Sequence, residues 1–163
     1  MGAGKILVII GAILTLVSTF FLSFFAAGGS DYGSGIGFVF NIPDIMANPG
    51  DYVAGETMTV YIVAIVFIVF LISGVLQLIG LASRVFAIIG SIIVIGVGVT
   101  ILLAILDVFP DMTAYRNLLV GDAIADGIWP FDLALGDVSL GTYTLLAGGA
   151  LGLIGGIIGT SDF

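Results

Sequence analysis

The sequence predicts an all-α membrane protein, a bundle of four transmembrane helices with two large loops on one side. Three observations predict it. Only 9% of residues are charged, against roughly 25% in an average soluble domain, and the mean hydropathy is +1.34. Four apolar stretches are each long enough to cross about 30 Å of hydrocarbon at ~1.5 Å per residue. They cover residues 6–27, 59–82, 85–106 and 140–159, and none contains a charged residue. A central Asp or Arg would cost about 3 kcal/mol on insertion scales. Finally, ten of the eleven acidic residues fall in the two long connections, 28–58 and 107–139. A chain of 163 residues is one domain, 1–163.

The first stretch, preceded by Lys5, invites a reading as a cleaved signal peptide. Its apolar core exceeds the usual ~7–15 residues, and cleavage after Ala27 would place Phe at the −3 position. Retention as a helix is expected. Myristoylation is not, because position 6 is Ile rather than Ser or Thr.

The first loop opens on Gly and Ser, then runs Ile36-Gly37-Phe38-Val39-Phe40-Asn41-Ile42, which reads as a short strand ended by Pro43. Asn48-Pro49-Gly50-Asp51 reads as a turn. Spans two and three are joined only by Ser83-Arg84 and a residue or two on either side, a tight helical hairpin. In the second loop a short helix is expected from Asp111, with Pro110 near its start. Met112, Tyr115, Leu118 and Leu119 would form its apolar face and Gly121 its stop. Trp129-Pro130-Phe131 then reads as an interfacial anchor or a cap over the bundle.

Span four is rich in glycine. Gly141, Gly148, Gly152, Gly155 and Gly159 recur at spacings of seven, four, three and four, and Gly148, Gly152 and Gly156 form a doubled small-xxx-small pattern. Such residues let helix backbones approach closely. Packing within the monomer and packing between copies both remain open. Gly11, Thr15 and Ser18 share a face of span one. Ser73, Gln77 and Gly80 share one on span two, and Ala87, Gly90, Ser91, Val94 and Gly98 stand on span three. Gln77, the most polar side chain within the membrane, is expected to bond to a carbonyl or hydroxyl of span one or three. The alternative is that it lines a pathway.

Lys5 and Arg84 lie with the two ends, opposite the acidic loops. The positive-inside rule then places both termini in the cytoplasm and the loops outside. Trp129 and the five Tyr in or near those loops agree.

Composition also narrows function. Three basic residues against a net charge of −8 argue against a nucleic-acid partner. There is no Cys and no His, so thiolate metal sites and the commonest general base are missing. Proton relays and voltage sensors use intramembrane ionisable groups, which the spans lack. No enzyme activity and no cofactor are expected. Calcium is weighed because carboxylates suit a hard cation. Asp44, Asp51, Asp122 and Asp126 would be the ligands, although their spacing fits no EF-hand loop and solvated acidic loops are the plainer reading. Phe38, Phe40, Ile42, Trp129 and Phe131 either fold over the bundle or present a contact surface to neighbouring copies.

The short ends, tight inner hairpin and two outer loops resemble the tetraspan membrane proteins, which include tetraspanins and claudin-like proteins. Ser73-Gly74-Val75-Leu76-Gln77-Leu78-Ile79-Gly80-Leu81-Ala82-Ser83-Arg84 is similar to the Gly-containing end of the second tetraspanin span. The chain departs from both families in having no Cys. Tetraspanins carry Cys-Cys-Gly in the second outer loop, claudins a Trp and two Cys in the first. The resemblance implies a non-catalytic, self-associating scaffold in the lipid bilayer, a homo-oligomer or a partner of other membrane proteins. An accessory subunit of a larger membrane enzyme or transporter is the alternative, and an oligomeric pore a third.

Overall fold

The computed structural model describes residues 2–28, 31–109, 114–124 and 127–159. Among these, four helices are long and apolar enough to cross a membrane: Ala3–Phe20, Thr57–Ile79, Arg84–Ile105 and Leu140–Ile158. The protein is therefore a multi-pass membrane protein by helix length and composition. In chain order the elements are α1 (Ala3–Phe20), β1 (Phe25–Gly28), β2 (Asp31–Gly33), α2 (Gly35–Ala47), a 3-10 turn (Pro49–Asp51), α3 (Thr57–Leu71), α4 (Ser73–Ile79), α5 (Arg84–Ile105), a 3-10 turn (Ala114–Leu118), β3 (Val120–Asp122), β4 (Ala134–Leu135), β5 (Val138–Ser139) and α6 (Leu140–Ile158).

The all-α expectation describes the spans but not the loops. β1, β2 and β3 form an antiparallel sheet in that order, and β4 pairs with β5. Backbone groups that leave a helix still require partners, and the loops supply them to each other across the sequence.

Span one is shorter than its apolar run. α1 stops at Phe20 because the last carbonyls are claimed from outside: Trp129 Nε1 donates to Phe20 O at 2.6 Å and Phe131 N to Phe21 O at 2.8 Å. Residues 25–27, the end of that apolar run, belong to β1 instead.

Span two bends at Ile72, between α3 and α4. There Ser73 Oγ donates to Phe70 O at 2.5 Å, and Ile72 N bonds to Val69 O. A hydroxyl that bonds back into the preceding turn competes with the helical ladder and bends it. Beyond the break, α3 packs on α2, the Pro49–Asp51 turn and α5, each contact far slighter than that between α1 and α6.

Residues 36–42 are helical, not a strand. Ser34 caps α2, its Oγ accepting from Gly37 N at 3.0 Å, and Phe38 and Ile45 are buried one heptad apart. The apolar run carried a helical period that its aromatic and β-branched content obscured. Pro43 lies inside this helix rather than ending it. Its ring projects from an exposed face.

The core has two textures. Phe24, Phe25, Phe38, Phe67 and Phe70 fill the half beneath the loops, with Phe38 edge-on to Phe67 at 5.4 Å. Towards the chain ends, glycines replace them.

Candidate functional site

The α1–α6 seam comes first because it fixes everything else. Gly4, Gly11 and Ser18 are seven residues apart on α1, and Gly155, Gly148 and Gly141 repeat in reverse on α6. A methyl group on Gly11 would lie 2.7 Å from Gly148 O, and one on Gly155 2.5 Å from Gly4 O. One on Gly4 would collide with Gly159 O, and one on Gly141 with Ser23 O. Ser18 Oγ and Thr144 Oγ1 share a hydrogen bond at 2.5 Å. The neighbouring glycines serve the other side of α6: Gly149 abuts Val94 and Ile95, and Gly156 abuts Ile88, all on α5. Span four thus spends its glycines within the monomer. Gly80 likewise closes on Ala87 across the α4–α5 hairpin. Gly159 adopts φ +108 and ends the helix, its carbonyl packed against Gly4.

At the centre of the bundle Gln77 is fully buried. Its Nε2 donates to Ser91 Oγ at 2.9 Å and to Gly148 O at 3.2 Å. The hydroxyl partner is on span three, as expected, while the carbonyl comes from span four. Gly152 makes the room, since a methyl there would collide with both Gln77 Nε2 and Ser91 Oγ. Gln77 Oε1 and Thr15 Oγ1 are buried without a hydrogen-bond partner. The cluster joins α4, α5 and α6, and its side chains are buried.

The loops are tied to the bundle by a second polar centre that the sequence reading passed over. Asp132 Oδ1 accepts from Ser23 Oγ and from Ser139 Oγ, each at 2.5 Å, and Thr142 Oγ1 donates to Phe24 O. Trp129 stacks on Phe21 with ring centroids 6.0 Å apart, so the cap reading of Trp129-Pro130-Phe131 describes its place. Asn41 Nδ2 donates to Leu118 O and Val120 O, joining the first loop to the second. The expected helix from Asp111 appears as the 3-10 turn Ala114–Leu118. Pro110, Asp111 and Met112 lie outside the described residues, and Gly121 belongs to β3.

The five aromatic and apolar loop residues split apart. Phe38 is wholly buried and Ile42 packs against the core, so neither offers a contact surface: both lie on the inner face of α2. Trp129 is half-buried. Phe40 and Phe131 are exposed, at 65% and 50%.

The acidic candidates do not converge. Asp44 accepts from Tyr52 Oη at 2.8 Å and Asn48 Nδ2 at 3.1 Å, and these bonds hold its carboxyl below the usual range. Burial, then the Asp44 bond, pushes the Tyr52 phenol up to about 12. Asp51 lies in the turn just before Tyr52. Asp122 instead stands opposite Asp31 in the β2–β3 register. Asp31 hydrogen-bonds to Asp122, and that bond, partial burial and the like charge hold the Asp31 carboxyl above the usual range. Asp126 lies outside the described residues. Among those described, no three carboxylates come together as a metal site.

One cleft lies at the α3–α5 boundary. It has a volume of about 220 Å3 and is walled by Val63 and Phe67 of α3, Thr100, Ile101 and Ala104 of α5, and Tyr115, Arg116 and Leu119 of the second loop. Arg116 sits above Phe25, its guanidinium carbon 5.9 Å from the ring centroid. Charge counting over whole loops hides this single cation among ten acids.

Searches against protein-family models, curated proteins and solved structures return no match for this chain.

Proposed function

We propose that this chain is a non-catalytic tetraspan protein that organises the membrane by lateral self-association, with both termini cytoplasmic and the loops outside. The observation that carries the reading is an apolar rim on the loop layer. Phe131, Ile128 and Leu133 stand 50%, 57% and 56% exposed around one cleft with Leu22 and Tyr32. Phe40 adds a second exposed aromatic beside Ile124. Large exposed apolar patches commonly mark an interaction surface. The glycines of span four are committed to the monomer, so association through the loop rim is favoured over association through that helix. The tetraspan resemblance supports the same reading.

The test is the mass of the purified protein in mild detergent. Homo-oligomers that revert to monomers in a Phe40→Ser/Phe131→Ser variant support the proposal. A wild-type monomer that leaves native membranes bound to different subunits would replace it with the accessory-subunit reading.

A further inference from the structure

The cleft between α3 and α5 has a neighbouring cleft at each end, sharing wall residues with it. Towards the chain termini it adjoins a groove between the same helices, walled by Val66, Val69 and Ile92, with Thr100 shared by the two. Gly96 lies in this groove. An added methyl there would meet nothing. Towards the loops the cleft meets a polar cleft of about 400 Å3, with Phe25 and Arg116 lining both. Asp107, Asp137 and Ser139 line the polar one.

We propose that these three adjoining clefts together bind one bilayer lipid. A hydrocarbon chain would lie between α3 and α5, and a zwitterionic head carrying phosphate and ammonium would occupy the polar cleft. Three features carry the assignment. First, the groove lies between two membrane-crossing helices, where hydrocarbon is the surrounding solvent. Second, from Ile92 to Ala104 the groove follows α5 for about 18 Å at ~1.5 Å per residue. That is close to half of a ~30 Å hydrocarbon layer, the reach of one chain from head to midplane. Third, the polar cleft presents both signs of charge. The guanidinium of Arg116 suits a phosphate, while Asp107 and Asp137 attract an ammonium and, outnumbering the arginine, disfavour a purely anionic head.

The test uses the full chain in detergent, supplied with phosphatidylethanolamine or phosphatidylglycerol of identical chains, and reads retained lipid by native mass spectrometry. One phosphatidylethanolamine per protein is expected, preferred about tenfold over phosphatidylglycerol. Ala104→Trp, which fills the cleft, should lower retention of both lipids about tenfold. Gly96→Phe carries the same test from open space should Ala104→Trp fail to fold. Asp107→Asn/Asp137→Asn should retain lipid but lose the head preference. The proposal is overturned by absence of retained lipid, by preference for phosphatidylglycerol, or by a filled cleft that retains lipid as well as the wild type.

Discussion

Two interfaces between membrane-crossing helices in this molecule are built on opposite rules. Along the α1–α6 seam, Gly4, Gly11, Gly148 and Gly155 bring the backbones to within reach of one another's carbonyls. At the α3–α5 boundary the helices carry Val63, Phe67, Val97 and Ile101, yet they touch sparsely and leave a cleft. Larger side chains therefore produce the looser interface. Lipid tails are as apolar as Val or Ile, so apolar bulk alone gives two helices little reason to prefer each other in a bilayer. Close backbone approach adds dispersion contact that lipid cannot match. The seam is consequently the tighter of the two, and the α3–α5 boundary leaves room beside it.

The largest expected effect sets these interfaces against each other. Leu in place of Gly148 would begin with a Cβ 2.7 Å from Thr15 Oγ1 and 2.8 Å from Gly11 O. The obstruction from Gly11 is backbone, so the helices must separate. Overpacking typically costs about 1–3 kcal/mol and more where nothing yields. Gly148→Leu should fall at or above the top of that range in a detergent melting experiment. Gly96→Leu should change melting by less than ~0.5 kcal/mol, the usual span of an uncrowded surface change. Equal effects at the two glycines would show that the seam is not what holds the bundle.

A smaller loss is expected where the loops are tied down. Asp132→Ala removes the acceptor of Ser23 and Ser139, and bonds to a charged group are worth about 1.5–3 kcal/mol. Roughly 2 kcal/mol should be lost, with faster amide exchange at Ser23, Ser139 and Gly141 and unchanged exchange along α5. Asp132→Asn retains an acceptor and should recover part of it. Within the bundle, Gln77→Leu sacrifices bonds to Ser91 and Gly148 but also removes the unpartnered Oε1. Intramembrane hydrogen bonds average about 0.6 kcal/mol, so a change of about 1 kcal/mol or less in melting is expected. A larger loss would mean that this cluster, more than the glycine seam, sets the packing of α6.

How much of this was legible depended on whether a feature lay within one helix period. The four spans followed from length and absence of charge, and the buried faces of Gly11–Thr15–Ser18, Ser73–Gln77–Gly80 and Gly141–Gly148–Gly155 followed from helical spacing. The antiparallel match between Gly4–Gly11–Ser18 and the α6 heptad was present in the numbering but meaningful only once the two helices were known to be neighbours. The loops were read least well. Residues 36–42 have strand-like content but are held helical by the Ser34 cap and by burial of Phe38 and Ile45. Asp132 and Arg116 matter through partners about a hundred residues away in sequence, Ser23 and Phe25, and no local pattern encodes such pairing. The bend at Ser73 rests on one hydroxyl that the sequence reading had assigned to a packing stripe.

The subtlest expected effect concerns the strand pairing beneath the apolar rim. Asp31 and Asp122 face each other across β2 and β3, and the shared hydrogen bond, burial and like charge raise the Asp31 carboxyl above its ordinary 3.8. A raised folded-state value means that protonation favours the paired strands. The contribution is fully present below the ordinary value and is lost as pH rises through the raised one. Amide protection of Tyr32 and Gly121, corrected for intrinsic exchange, should therefore decline over that window while protection along the α1–α6 seam stays level. Asp122→Asn removes the like charge and should leave the loop protection flat with pH. A wild-type sheet whose protection rises with pH would show that the Asp31 carboxyl is not raised in the paired strands, and a seam that tracks the sheet would show that loops and bundle open together.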